Sequence, residues 1–584
     1  ADIAGRPVGN VSDILRLAIP PRQVRVEKAW LAARSVPADT TPPAPTTGSG
    51  PGPAGTLLPP AFRGYPTGRL DSGIMGAERL AVAAIPELTT LAGGRTVGRW
   101  AVTLAELGAA ALAAGRSAIL CVPDFRDQDQ VQAVLDELAP PHSVSRMDAR
   151  QPNPERYRAF LACLDPEPRI ILGNRSAVYA PAHRLGLIAL WDDGDPLYSE
   201  PLSPYVHARD AALVRREQAG CALVLLSHSR SVEAQRLVEL GWLGEVHPAA
   251  NRHPRVIPTD FQSEPDAQAR AARIPSAAWQ AARDALRTGP VLVQVASPGY
   301  APVLACQSCK KAARCTHCQG PLALTSRNAV PACRWCGALA AAWACAHCAA
   351  TALRVVTLGT GRTAEELGRA FPGARVIVAD GAHTVQDIGA EPALVIATRG
   401  AEPTPVGGYR AILLLDGERM LARESLRVGE DCLRWWCNAA ALAAPGASVM
   451  LAGVGGALAS ALNSWHPEVF AASELHDRRQ LRFPPAVRVA SVTGLPVHVT
   501  AALADLTDRA ARGELAGVDV LGPVPADDTR VRAVVRFSYA SGAGVARSLK
   551  ASVVRTAAVR RRPASGSFQP PPTLKVRFDD PELL

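Results

Sequence analysis

Short, uninterrupted apolar runs alternate with longer amphipathic stretches through most of this chain, a rhythm that predicts buried parallel strands joined by helices. Between about Gly68 and Pro248 the apolar runs are Ala118–Val122, Arg169–Leu172, Leu187–Leu190 and Ala222–Leu226. Strands buried on both faces lose the in–out alternation of a half-exposed sheet and read as continuous hydrophobic segments of this length. Between them, Ala101–Ala114, Asp129–Leu138 and His207–Gln218 space their apolar residues at the helical period. The same alternation returns in Val291–Val295, Val355–Leu358, Arg375–Ala379, Leu394–Ala397, Ala411–Leu415 and Ser448–Leu451. Repeated strand–helix units predict two α/β units, each with a parallel sheet. After about Glu474 the pattern changes to separated strands at Val487–Val492, Val531–Phe537 and Leu574–Phe578, with a helix at Ala501–Arg512. That reads as a small α+β domain.

The punctuation sets the boundaries. Residues 1–34 form a helical remnant containing Leu15–Ile19 and the Pro20-Pro21 step, and 35–67 a Pro/Gly-rich linker that cannot build a core. The first unit is assigned to 68–248, the second to 249–472 with an insert at 304–351, and the last domain to 473–584. A length of 584 residues is ample for this, and the chain's first residue is Ala rather than Met, as in a fragment of a longer protein. The uncharged stretch Trp435–Trp465 is long enough to span a bilayer. Asn438, Pro445, Gly446 and the Val454-Gly455-Gly456 step break it, so a buried helix, a turn and a strand are expected, and no membrane partner. No basic segment followed by an apolar core opens the chain. With thirteen cysteines this points to a reducing, cytoplasmic setting. The net charge of +10 favours a polyanionic partner, while 5% aromatics argues against extensive base-stacking platforms.

Eight cysteines stand as four equal knuckles: Cys306-x2-Cys309, Cys315-x2-Cys318, Cys333-x2-Cys336 and Cys345-x2-Cys348. One knuckle offers two thiolates on a tight turn and two knuckles complete a tetrahedron, so four imply two closed, structural zinc sites. Spacing alone leaves the pairing open. A nested arrangement joins Cys306, Cys309, Cys345 and Cys348 in one site, and Cys315, Cys318, Cys333 and Cys336 in the other. Sequential pairing has to cross only five residues and looks cramped. His317 and His347 sit inside knuckles and are read as solvent-facing. Cys121, Cys163, Cys221, Cys432 and Cys437 are read as buried thiols.

Several segments resemble one family. Gly173-Asn174-Arg175-Ser176-Ala177 with Pro181 and Leu185–Ile188, Tyr205–Asp210, Pro298-Gly299-Tyr300 leading to Cys306, and Phe371-Pro372-Gly373 are similar to motifs of the PriA replication-restart helicases (primosomal protein N′). So are Arg478-Arg479 with Phe483-Pro484-Pro485, Leu521–Pro525 and Asp579-Asp580-Pro581. The resemblance covers nearly the whole chain from Gly68. It implies two RecA-like lobes, nested pairing of the zinc knuckles, and an N-terminal domain that captures a DNA 3′ end. Val11–Leu15 with Pro20-Pro21 resembles the handover from that domain.

The resemblance also implies an ATP site, and here the residues depart from it. A phosphate loop needs a lysine for the phosphates and a hydroxyl for magnesium. Gly93 and Gly98 keep their spacing in Gly93–Arg99, but the lysine position is Arg99 and the hydroxyl position Trp100. Arginine's planar fork is no substitute for a lysine point charge in a tight loop, and an indole cannot ligate a hard cation. The acidic motif falls on Trp191-Asp192-Asp193-Gly194, its leading aspartate replaced by Trp191. The second lobe's arginine positions are Leu442 and Pro445, and the coupling segment reads Ser227-His228-Ser229-Arg230. Loss of an arginine finger alone costs on the order of 10³–10⁵ in rate. ATP and magnesium are therefore doubtful ligands, only a vestigial nucleotide site (Gly93, Gly98, Arg99) is expected, and no catalytic residue is assigned.

The expected function is recognition of abandoned or stalled forks, with primosome assembly and reloading of the replicative helicase but without unwinding. The partners would be forked and single-stranded DNA, primosome components and that helicase. Arg175 and Arg209, in retained motifs, and the cluster Arg560, Arg561 and Arg562 are the candidate phosphate contacts, set against internal ion pairs or a solvated face. Two other readings stay open: an active ATP-dependent 3′–5′ helicase with a divergent site, and a zinc-ribbon module for nucleic-acid or protein contacts.

Overall fold

The computed structural model describes residues 2–6, 8–34, 61–259, 273–296, most of 303–356, then 368–423, 425–558 and 574–580. The described chain divides into two units. The first gathers residues 1–254 with 421–441 and 455–584, and the second holds 255–420 and 442–454.

The first unit is built on a seven-stranded, all-parallel sheet. Its order is Val144–Met147, Ile170–Gly173, Ser117–Cys121, Leu185–Trp191, Ala222–Ser227, Arg79–Ala83 and Gly244–Val246. The four strands expected from the apolar runs are present. Arg79–Ala83, Val144–Met147 and Gly244–Val246 complete the sheet from shorter or more polar segments. Helices Arg99–Ala113 and Phe125–Leu138 cover one face, where Leu104, Leu107, Val131 and Leu135 are fully buried. Helices Ala208–Ala219 and Val232–Glu239 cover the other through Ala211, Ala212 and Ala234. Helix Pro467–Leu481 joins the same unit by placing Ala471 and Leu475 against Val232.

The C-terminal part of this unit is a four-stranded antiparallel sheet in the order Asp519–Pro525, Val531–Phe537, Arg488–Gly494 and Lys575–Phe578. Helices Pro496–Ala511 and Gly542–Ala558 share a core with it around Leu506, Phe537 and Leu549. This is a split β-α-β fold. Asp519–Pro525 was not expected as a strand. Gly522-Pro523 interrupts its alternation, and an exposed edge strand is where a sheet tolerates proline.

The second unit carries a six-stranded parallel sheet: Arg255–Pro258, Ala443–Leu451, Tyr409–Leu414, Val291–Val295, Leu394–Thr398 and Val376–Ala379. One expectation is corrected. The run Val355–Leu358 was expected in this sheet; its described part belongs to strand Leu353–Val356, which pairs antiparallel with Val303–Cys306 instead, while 357–358 lie outside the described residues. That strand follows the last cysteine knuckle and closes the insert, a role its apolar composition cannot distinguish from that of a core strand.

The uncharged stretch from Trp435 is the end of helix Val428–Ala440, strand Ala443–Leu451 and helix Gly456–Ser464. Among the described residues no helix is long and apolar enough to cross a membrane.

Candidate functional site

Gly93 and Gly98 belong to a hairpin. Leu88–Thr90 pairs antiparallel with Thr96–Gly98, and the tip closes through Leu91 N–H to the Arg95 carbonyl (2.8 Å) and Gly94 N–H to the Leu91 carbonyl (2.9 Å). A phosphate loop works by aiming free amides at its ligand. Here those amides are taken. Gly93 N–H donates to Glu137 Oε1 at 3.0 Å, Gly98 N–H to Gln130 Oε1 at 2.8 Å, and Arg99 N–H to the Glu87 carbonyl at 2.8 Å. The Arg99 guanidinium turns back to the Arg63 carbonyl (2.9 Å) and toward Glu106 (3.6 Å).

Trp100 opens the following helix and lies over Gly98, where an added Cβ would sit 2.3 Å from its Nε1. Its indole stacks on that of Trp191, with centroids 4.2 Å apart and planes within 10°. Both rings are buried. The residues at the positions expected to supply the magnesium hydroxyl and the magnesium aspartate thus pack on each other, and such a stack contributes about 0.5–1.5 kcal/mol beyond its buried area. His228 meets Trp191 edge-on at 5.1 Å.

The two remaining acids are buried and already paired. Asp192 accepts from Arg434 Nη1 (3.0 Å) and Asn438 Nδ2 (2.8 Å), and Arg434 also bonds Asp195 at 2.8 Å. Burial pushes the Asp192 carboxyl up to about 6, with Arg434 opposing. The same burial takes the His228 imidazole down to about 4, and its Nδ1 lies 3.1 Å from Asn438 Oδ1. Asp193 accepts from Ser231 Oγ at 2.6 Å and Arg209 Nη1 at 3.1 Å. A magnesium ion needs ionised oxygen ligands free to accept it. Asp192 and Asp193 each keep one buried oxygen, Oδ1, without a hydrogen-bond partner, but their Oδ2 atoms are held by Arg434 and Arg209. With a buried tryptophan at the leading position and another at the hydroxyl position, these residues do not fit magnesium–ATP.

The network extends through the unit. Arg209 and Arg427 both pair with Glu233, whose ionisation burial opposes and the two arginines favour, holding its carboxyl well below the ordinary range. Glu430 accepts the Val232 amide at 3.0 Å and faces Arg478 at 3.4 Å. Sequence reasoning missed Arg434 entirely, because it lies outside the motif that begins at Asn438.

Of the candidate phosphate contacts, Arg209 is buried and committed to Asp193 and Glu233, with Asp210 at 3.8 Å, so it is an internal ion pair and presents nothing to a phosphate. Arg175 keeps 36% of its side chain exposed while its Nε donates to Glu200 at 2.9 Å. Arg560, Arg561 and Arg562 lie outside the described residues.

The outer cysteine knuckles come together. Cys306 and Cys348 place their sulfurs 3.4 Å apart, Cys309 and Cys345 3.5 Å apart, and all four lie within 4.8 Å of one another. A tetrahedral tetrathiolate zinc site has sulfurs about 3.8 Å apart, so this donor set fits a metal ion. Knuckle amides act on these thiols: the Cys309 N–H holds Cys306 down to about 6 and the His347 N–H lowers Cys345, while at Cys309 the Lys311 N–H is outweighed by burial and the neighbouring thiols, which push it up to about 11. The His347 ring lies 3.3 Å from Lys311 Nζ rather than in the cluster. Cys315 and Cys333 are buried in the same small core, while Cys318 and Cys336 lie outside the described residues. Cys121, Cys163, Cys221, Cys432 and Cys437 are buried.

Against known proteins, the chain is 38% identical over 578 residues to the probable replication restart protein PriA of Mycobacterium tuberculosis, covering 94% of this chain and 84% of that one. This chain belongs to the PriA family of replication restart proteins. The Mycobacterium leprae PriA is 39% identical over 89% of this chain and 78% of its own length, and the Bacillus subtilis PriA 26% identical over 46% and 34%. A family model described as the primosomal protein N C-terminal domain matches residues 479–582. Among solved structures, RecG bound to a three-way DNA junction superposes with a TM-score of 0.38 at 10% identity, over 80% of this chain and 53% of that one, a likeness that carries no argument. The cysteine cluster lies in an insert of the second parallel-sheet unit, and the split β-α-β fold coincides with the family's C-terminal domain.

Proposed function

We propose that this chain serves replication restart as a protein that recognises forked DNA and supports reloading of the replicative helicase, without ATP-driven unwinding. The observation that carries this reading is the Trp100–Trp191 stack, standing where magnesium and phosphate would bind, beside two aspartates already committed to Arg434 and Arg209. A motor cycle needs nucleotide to enter that space, and a buried aromatic pair excludes it. The division along the sequence into lobes at 68–248 and 249–472 and a C-terminal domain at 473–584 is part of the same proposal, with 421–441 and 455–472 packed into the first unit. So are two structural zinc ions, the second held by Cys315, Cys318, Cys333 and Cys336. DNA contact is assigned to Arg175 and the Arg560–Arg562 cluster, and the working compartment to the cytoplasm, with primosome components as partners. No specific observation favours the divergent-helicase reading, since Gly93 and Gly98 are both explained by the hairpin.

Fluorescence anisotropy with a model fork and a blunt duplex of equal length, at stated salt, tests the proposal. Tighter binding of the fork supports it. Equal affinity for the two at moderate salt would overturn it.

A further inference from the structure

The aromatic contacts that begin at Trp100 continue outward. His228, edge-on to Trp191, lies 6.3 Å from Trp465, and Trp465 is parallel to His253 within 2° at a centroid separation of 6.4 Å. The inner members are buried, Trp465 is half-buried and His253 is exposed. The series therefore ends as an aromatic shelf at the surface.

Trp465 is unusual in its backbone too. It caps helix Gly456–Ser464 with φ of 56°, the left-handed conformation that glycine ordinarily supplies at a helix end. A bulky side chain there is an outlier. Glycine would satisfy the cap with less strain, so what the indole contributes lies in its ring. Arg252, next to His253 in sequence, is exposed and has no ion-pair or side-chain hydrogen-bond partner among the described residues.

We propose that Trp465 and His253 form a stacking site for a nucleobase, with Arg252 placed for the attached phosphate. An indole face accepts any base, and a neighbouring free cation supplies the sequence-independent attraction to the backbone. The proposal rests on the DNA-recognition reading above and names a contact for an unpaired nucleotide, whether carried in a strand or free.

The test uses the full chain, a fork with a single-stranded arm, a blunt duplex and a single-stranded oligonucleotide. Trp465→Gly removes the ring while suiting the backbone, and His253→Ala removes the outer face. Both are expected to weaken binding of the arm-bearing fork and the single strand by about fivefold to about 150-fold per stacked base, leaving the duplex unchanged. Trp465→Phe, which keeps a stacking face, restores most of that affinity, and melting curves show whether each variant is folded. Abasic nucleotides in the arm weaken binding equally with unmodified protein, so the proposal does not depend on one variant's folding. Adenosine triphosphate, added as competitor, distinguishes the sources: no displacement assigns the site to a strand, and displacement assigns it to free nucleotide. Unchanged affinity on both Trp465→Gly and abasic substitution overturns the stacking site while leaving fork recognition intact. Weakened single-strand binding in the variants of a protein with no fork preference would instead sustain the stacking site and sink the fork reading.

Discussion

Asp192 and His228 titrate in overlapping pH ranges with opposite consequences for stability. The Asp192 carboxyl moves from 3.8 when exposed to about 6 when folded, so the folded chain binds more protons in that window and this contribution falls as pH rises through it. The His228 imidazole moves from 6.5 to about 4, so the folded chain binds fewer protons there and its contribution rises with pH. The two partly cancel in the unmodified protein. Asp192→Asn is expected to leave stability rising from pH 4 to about 6.5, and His228→Gln to leave it falling from pH 4 to about 6, each by at most about 1.4 kcal/mol per pH unit. Denaturant melts across that range read the slopes, and identical slopes in both variants would refute the assignment. Removing Arg434 leaves a carboxylate buried without its cation, and Arg434→Ala is expected to cost about 3–5 kcal/mol in the same assay. The replacements at positions 100 and 191 are plain from the residues, because chemistry rules out an indole as a magnesium ligand. That the two indoles stack on each other is a fact of packing, invisible in a one-dimensional spacing.

The hairpin gives Gly98 a reason that has nothing to do with phosphate. Gly98→Ala would press a methyl group into the Trp100 ring, and a destabilisation of about 1–3 kcal/mol is expected from overpacking. Combining it with Trp100→Leu, which clears the ring, is expected to cost less than the two changes separately. Strict additivity in that double-mutant cycle would mean that the indole is not what fixes the glycine. In the cysteine insert, the account predicts two zinc ions per chain by metal analysis. Cys345→Ser should remove one and Cys315→Ser the other, whereas unchanged stoichiometry in either variant contradicts the two-site assignment. Buried parallel strands were legible in the sequence because burial on both faces leaves an unbroken apolar run, as in Ala222–Leu226. Val355–Leu358 reads much the same, yet its described part pairs with another partner, and Asp519–Pro525 hides a strand behind a Gly-Pro step. In both, pairing across the chain decides what local pattern cannot.

At the scale of the molecule, one buried charge network ties segments far apart in sequence. Arg209 and Arg427 meet at Glu233, Arg478 and the Val232 amide meet at Glu430, and Arg434 reaches Asp192 and Asp195. It explains why residues 421–441 group with 1–254 rather than with the sheet that precedes them. Alternating strands and helices announced two lobes but not which one this helix serves, since the deciding ion pairs span 194 residues (Arg427–Glu233) and 242 residues (Arg434–Asp192) of sequence. DNA binding should fall with salt, and the log–log slope should shrink by about 0.9 for each phosphate that the protein no longer neutralises. Changing Arg560, Arg561 and Arg562 together to Ser should therefore flatten it by up to about 2.7. An unchanged slope would remove that cluster from the interface. The central claim is that nucleotide no longer drives this protein, and ATP hydrolysis by zinc-loaded chain, with and without forked DNA, tests it most directly. The account predicts a rate indistinguishable from background in both conditions alongside intact fork binding; turnover stimulated by the fork would contradict it.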